Sequence, residues 1–252
     1  MRRRPGDPLV NALRLAFGTL TVLPVAAPTV DRRTAGRAMA LAPLVGLTLA
    51  LVVSPLTLLD GSPLLVAALV VGALALLTRG LHLDGLADTA DGLGSGRPAD
   101  GALEVMRRSD IGPFGVVTLV LVLLVQVVAL AQLLASGSGA LLLGAALLVS
   151  RLALPLACLD GVPAARPDGL GATVVGSVSR PLAGLSVLLA VVVLGVAALG
   201  VGWQVVLTPV GLLGGLAVGR RAVRRLGGVT GDVLGAVVEA TFTAALVLPC
   251  LV

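Results

Sequence analysis

Three aspartates stand close together in the segment His82-Leu83-Asp84-Gly85-Leu86-Ala87-Asp88-Thr89-Ala90-Asp91-Gly92. Their spacing of i, i+4 and i+7 puts all three carboxylates on one face of a helix, within two turns. Like charges on one stripe repel and weaken the helix, and a hard cation removes that repulsion. Carboxylate oxygens are the ligands Mg²⁺ prefers, usually one or two of them completed by waters and phosphate oxygens. A solvated acidic face is the plain alternative. Against it, residues 79–113 hold six acids and four arginines, an excess that runs against the other cytoplasmic connections of this chain. Asp84, Asp88 and Asp91 are therefore expected to hold Mg²⁺ and to take part in catalysis. His82, the only histidine, stands two residues before Asp84. It is either structural or a contact to substrate, base or metal.

Other segments carry groups that suit phosphate. Arg107 and Arg108 lie in Glu104-Val105-Met106-Arg107-Arg108-Ser109-Asp110-Ile111-Gly112. They are expected either to clamp a phosphorylated substrate in bidentate fashion or to anchor the chain at a membrane surface. Gly227-Gly228-Val229-Thr230-Gly231-Asp232-Val233-Leu234-Gly235 has glycines that let backbone approach a ligand. Thr230 and Asp232 are candidate substrate contacts there, and Asp232 is alternatively a helix N-cap. Glu239 falls two turns inside an apolar stretch, where a carboxylate marks a functional site by default; the alternative is a neutral Glu bonded between helices. Arg151 is similarly sunk behind Ser150, and can snorkel, pair with an acid or meet a phosphate. The loop Pro167-Asp168-Gly169-Leu170-Gly171 is a turn by composition, with no role assigned.

The elements that position these groups must lie in lipid. Of 252 residues, 57% are hydrophobic and 12% charged, against about 25% charged in a soluble domain. Apolar runs long enough to cross a bilayer as helices recur at 38–59, 64–81, 114–135, 139–158, 183–202, 204–218 and 233–252. Short and rich in Pro and Gly, the sixth is the weakest of them. The expected fold is all-α: one integral membrane domain over residues 1–252, about seven transmembrane helices and an N-terminal interfacial or re-entrant helix from Leu9 to Val25. Arg2, Arg3 and Arg4 before that stretch resemble the start of a signal peptide, but Arg14 interrupts its apolar run, so it is expected to stay.

All 18 basic side chains are arginine. They fall on alternate connections, which sets the N-terminus and the polar loops in the cytoplasm of a cell-membrane protein. This placement also accounts for the high isoelectric point without nucleic acid. The outer turns are minimal and carry no arginine, with Asp60 their one charge, and ionisable groups gather at the inner mouth rather than the midplane; both features argue against a transporter. Cys158 and Cys250 are expected at opposite faces, unable to pair.

These motifs resemble the adenosylcobinamide-GDP ribazoletransferase, or cobalamin synthase, family. The resemblance rests on His82–Gly92, on Met106-Arg107 with Ser109 and Gly112, and on Gly227–Ala236 with Glu239. Thr21-Val22-Leu23-Pro24-Val25 and Ala42-Pro43-Leu44-Val45-Gly46 match more weakly. It implies an Mg²⁺-dependent membrane transferase that joins adenosylcobinamide-GDP to α-ribazole or α-ribazole 5′-phosphate and releases GMP. The small-molecule substrates and membrane lipid are the implied partners, and homo-oligomerisation is left open. Asp88-Thr89-Ala90-Asp91-Gly92 is also similar to the opening of the CDP-alcohol phosphotransferase motif, without the residues that follow it there. A lipid phosphotransferase of that kind is the alternative function, with a transporter behind it.

Overall fold

Proline in the first turn opens five of the helices, where its missing N–H has no intrahelical partner to lose. The structure, a computed structural model, describes residues 7–26 and 30–252, so Arg2, Arg3, Arg4 and Pro28 lie outside the described residues. In chain order the helices are α1 (Pro8–Leu20), α2 (Arg32–Ala40), α3 (Ala42–Val53), α4 (Pro63–Leu77), α5 (Leu81–Gly94) and α6 (Ala99–Val105). They continue as α7 (Pro113–Ala135), α8 (Gly139–Ala157), α9 (Gly169–Val174), α10 (Arg180–Val201), α11 (Leu212–Leu226) and α12 (Gly231–Val247). No strand occurs among the described residues, only two isolated bridges.

α8 and α12 form the centre. They pack on each other, and α3, α5, α7, α10 and α11 surround them. The outer faces of α7 and α10 expose Val117, Leu121, Leu124, Leu188, Val191 and Val192, an apolar area that water would not tolerate and a bilayer does. The all-α membrane bundle expected from composition is what the chain forms.

Length and composition alone do not confirm the expected count of seven spans. Four helical runs suffice: Pro113–Ala135, Gly139–Ala157, Arg180–Leu226 and Gly231–Leu251. Two bent pairs, Arg32–Ala40 with Ala42–Leu58 and Pro63–Leu77 with Leu81–Gly94, raise the count to six. The difference lies at the sixth expected span, 204–218. It is a 3₁₀ segment, Gly202–Gly211, followed by α11. Pro209 inside it has no N–H to continue an α-helical ladder. α1 is 13 residues long, about 20 Å, too short to cross. It buries Ala12, Leu15, Ala16 and Leu20 against α2 and α3.

One corner sets up the site. α4 and α5 meet at 88°, so α5 runs along the face of the bundle rather than through it. Arg79 (φ 56°) and Gly80 (φ 64°) both take left-handed backbone there. Glycine does this freely, arginine does not; Arg79 is held by its guanidinium, which donates to the Gly18 carbonyl of α1 at 3.0 Å.

Candidate active site

Three elements converge on the acidic face of α5. α12 crosses it so closely that a Cβ on Gly85 would stand 2.6 Å from the Asp232 carbonyl oxygen, and one on Gly235 would stand 3.0 Å from that of His82. Only small residues allow helix backbones this near each other. The crossing brings Asp232, in the first turn of α12, into the electrostatic reach of Asp84 and Asp88. Asp232 is not the N-cap of α12. Thr230 is, its hydroxyl accepting from the Val233 N–H at 3.2 Å, which leaves the Asp232 carboxylate to accept from the Thr230 hydroxyl at 3.3 Å and to meet Arg166.

The third element is the loop after α8. The Ala165 N–H donates to the Val229 carbonyl at 3.0 Å and the Val229 N–H to the Pro163 carbonyl at 2.9 Å. A Cβ on Gly228 would sit 2.6 Å from that Pro163 oxygen. The glycine expected to admit a ligand thus admits a neighbouring strand of backbone. This bridge delivers Arg166, which ion-pairs with Asp232 at 3.5 Å and donates to the Leu103 carbonyl at 2.7 Å. In the sequence Arg166 has no role beyond its share in the alternation of arginines along the chain. Its signal was its isolation: one arginine in a loop otherwise fixed by prolines.

Asp91 has a different surrounding. Its two carboxylate oxygens accept from the Gly112 N–H (2.8 Å) and the Gly115 N–H (2.9 Å) at the N-terminus of α7. A carboxylate there satisfies orphan donors and meets the positive end of the helix. The acidic group is therefore Asp84, Asp88 and Asp232, with Asp91 as the fastener of α5 to α7.

Two cavities border this group. One of ≈ 300 Å³ is lined by His82, Arg166, Asp168, Thr230, Asp232 and apolar residues of α1, α2 and α8. The other, of ≈ 330 Å³, is lined by Asp88, Asp91, Arg97, Arg108 and Asp110. Arg107 pairs with Asp168 at 3.1 Å, tying α6 to the rim of the first cavity. Arg107 and Arg108 thus both reach the site.

The acids strain one another. Burial, then Asp84, Asp232 and Asp91, push the Asp88 carboxyl up to about 7, with Arg166 opposing. Among the described residues no three His, Cys, Asp or Glu side chains form a ready-made metal cage. The donor set nevertheless suits a hard cation, which needs only one or two carboxylates when water and phosphate complete its shell. Because folding raises the affinity of Asp88 for its proton, this group stabilises the fold at low pH. That contribution is lost as pH rises from the unfolded value near 3.8 through about 7. In a chelator the thermal midpoint of the wild type is expected to fall between pH 5 and pH 8, and to fall less in Asp88→Asn. Equal slopes for the two proteins would refute the strain.

His82, Arg151 and Glu239 lie beneath the site. His82 is 3% exposed, and neither ring nitrogen has a hydrogen-bond partner. Arg151 is 3% exposed, donates to the Ser150 hydroxyl at 2.9 Å and does not snorkel. Glu239 accepts from Gln126 of α7 at 2.8 Å, and Gln126 also reaches Thr243. Glu239 and Arg151 line a shared cavity of ≈ 20 Å³ and lie outside the two cavities of the acidic group. Among the described residues no ion pair joins Glu239 to Arg151, and the bond that holds Glu239 is the one from Gln126. A buried amide left without its acceptor costs about 1–3 kcal/mol, whereas replacing both partners is nearly neutral. Glu239→Leu is therefore expected to destabilise the protein by about that amount, and Gln126→Leu with Glu239→Leu to recover most of it in reversible unfolding. If the double variant is no more stable than the single, the two side chains are not coupled.

The chain is similar to known proteins over nearly its whole length. The model of the cobalamin-5-phosphate synthase family matches residues 12–250. The chain belongs to that family. It is a transferase of cobalamin biosynthesis. An adenosylcobinamide-GDP ribazoletransferase from Frankia casuarinae is 45% identical over 257 residues, covering 93% of this chain and 92% of the relative. One from Nocardioides sp. is 47% identical over 241 residues, covering 94% and 96%. One from Bradyrhizobium diazoefficiens is 42% identical over 233 residues, covering 90% and 88%. No solved structure gives a significant match. Asp84, Asp88, Asp232 and Arg166 all fall inside the family match, as do Arg151 and Glu239.

Proposed function

We propose that this chain transfers the adenosylcobinamide phosphate from its GDP ester to a ribose hydroxyl of α-ribazole or α-ribazole 5′-phosphate, at the cytoplasmic face of the cell membrane. The observation that carries the proposal is the meeting of Asp84, Asp88 and Asp232 with Arg166, where Asp232 and Arg166 line the ≈ 300 Å³ cavity and Asp88 the ≈ 330 Å³ one. A hydroxyl oxygen attacks the phosphorus that bears the cobinamide ester. A new P–O bond forms, the bond to the bridging pyrophosphate oxygen breaks, and GMP leaves with that oxygen. Such transfers demand positioning and neutralised charge more than covalent catalysis by the protein.

Asp84, Asp88 and Asp232 would hold Mg²⁺, which supplies charge neutralisation on the pyrophosphate when bound. Arg166, held by Asp232 and the Leu103 carbonyl, brings positive charge to the wall of the ≈ 300 Å³ cavity, where it would neutralise a phosphoryl oxygen, and Arg107 and Arg108 extend positive charge along the rim. Thr230 offers a hydroxyl beside Asp232. One of the aspartates takes the hydroxyl proton. We assign Glu239 to bracing α12 against α7 rather than to proton transfer, since it faces Gln126. The apolar part of the cavity, from α1, α2 and α8, would take the less polar portion of a substrate.

The test is purified protein in detergent, supplied with adenosylcobinamide-GDP, α-ribazole and Mg²⁺. Release of GMP with formation of the joined product is expected. Absence of GMP above a protein-free blank would sink the proposal, and release of CMP from a CDP-alcohol instead would transfer the chain to the alternative chemistry.

A further inference from the structure

A second large opening lies apart from the acidic group. A groove of ≈ 360 Å³ runs between α8, α11 and α12, with Leu156, Leu212, Leu216 and Val237 in its wall. Its α11 side is a single stripe: Leu212, Leu216, Gly219, Arg220, Val223 and Arg224 recur at helical spacing. The groove opens sideways, for Leu216 is 45% exposed and its neighbour Leu213 is 65% exposed. On a membrane protein that side meets acyl chains.

At one end the groove meets charge. Arg220 and Arg224 belong both to it and to an adjoining hollow of ≈ 410 Å³ lined by Arg220, Arg221, Arg224 and Arg225. Among the described residues none of the four has an ion pair. Arg225 makes only a 3.4 Å contact to the Arg97 carbonyl, and no acid lies between residues 161 and 231 except Asp168, which is taken by Arg107. Plain topological anchoring explains four arginines near a span end. It does not explain an apolar channel that leads away from them.

We propose that this groove is a binding site for an anionic phospholipid, one acyl chain lying along α11 and the headgroup phosphate held by Arg220 and Arg224. Each half of the site selects against a different occupant. A zwitterionic lipid would bring its own cation beside the arginines and no net counter-charge, and a free phosphate or nucleotide would leave the apolar channel unfilled. Basic pockets between transmembrane helices bind acidic headgroups for this reason. The proposal is independent of the reaction assigned above, and its test involves no turnover.

Full-length protein in a neutral detergent is unfolded thermally with phosphatidylglycerol, with phosphatidylcholine, or with inorganic phosphate. Phosphatidylglycerol is expected to raise the midpoint by about 5 °C at saturation, because a ligand of the folded state alone stabilises it; the other two additions should raise it little. Arg220→Gln with Arg224→Gln should abolish the shift. Gly219→Leu keeps every charge but fills the channel. A Cβ at Gly219 touches nothing nearer than Val237 at 3.6 Å, and leucine favours helix over glycine, so this variant is expected to fold and still to lose the shift. Stabilisation by phosphatidylcholine or phosphate equal to that by phosphatidylglycerol overturns the proposal. So does a full phosphatidylglycerol shift retained in Gly219→Leu, which would reduce the effect to surface charge.

Discussion

Asp88→Asn should lower turnover by a factor of about 10²–10³ or more, the scale of losing one electrostatic group that acts on a developing charge, while leaving the folded protein at least as stable as the wild type. The two halves of this expectation come from one cause. Asp88 is held among Asp84, Asp232 and Asp91 with only Arg166 in opposition. A like-charged cluster costs folding energy unless something binds it, so removing one charge relieves the fold and disables the site together. Asp91→Asn should behave in the opposite way. Its carboxylate bonds two backbone N–H groups at the start of α7, and an amide presents only one oxygen to them. A loss of about 1–3 kcal/mol is expected, with turnover falling only as α5 loosens. Thermal unfolding and GMP release, measured on both variants, separate the roles. If Asp88→Asn is the less stable protein and Asp91→Asn the inactive one, the assignment of the two carboxylates is reversed.

The sequence made some of this visible and hid the rest for physical reasons. The spans at 114–135 and 139–158 coincide with α7 and α8 to within a residue, because an apolar run in lipid has no alternative to a helix. Asp84, Asp88 and Asp91 share a helix as their spacing requires. Spacing along one helix cannot say which neighbour each carboxylate meets. Asp91 finds its donors 21 and 24 residues on, and the place beside Asp84 and Asp88 goes to Asp232, from another helix. The corner at Arg79-Gly80 falls at the end of the expected span 64–81, and composition marks that end without giving the 88° turn that follows it. Arg166 was hidden because topology already explained any arginine on that loop, and its partner across the Ala164–Val229 bridge depends on backbone pairing rather than on composition.

Gly85→Val should be the most damaging single change that touches no charged group. The α5–α12 crossing brings backbone to within 2.6 Å of where the first side-chain atom would sit, so α5 or α12 must retreat, and valine adds two methyl groups beyond that atom. The distance between these helices sets how Asp84 and Asp88 face Asp232. A displacement near 1 Å in a positioned site costs on the order of 10²-fold in rate. Gly85→Ala should fall between, since alanine requires the smaller retreat. Loss through general weakening of glycine-rich helices is controlled by Gly72→Ala in α4, where an added Cβ meets nothing within 4 Å and alanine improves the helix. That variant should keep full turnover and gain slightly in stability. A Gly85→Val protein that retains wild-type turnover would mean that the acidic group does not need α12 at this distance, and with it Asp232 would leave the site.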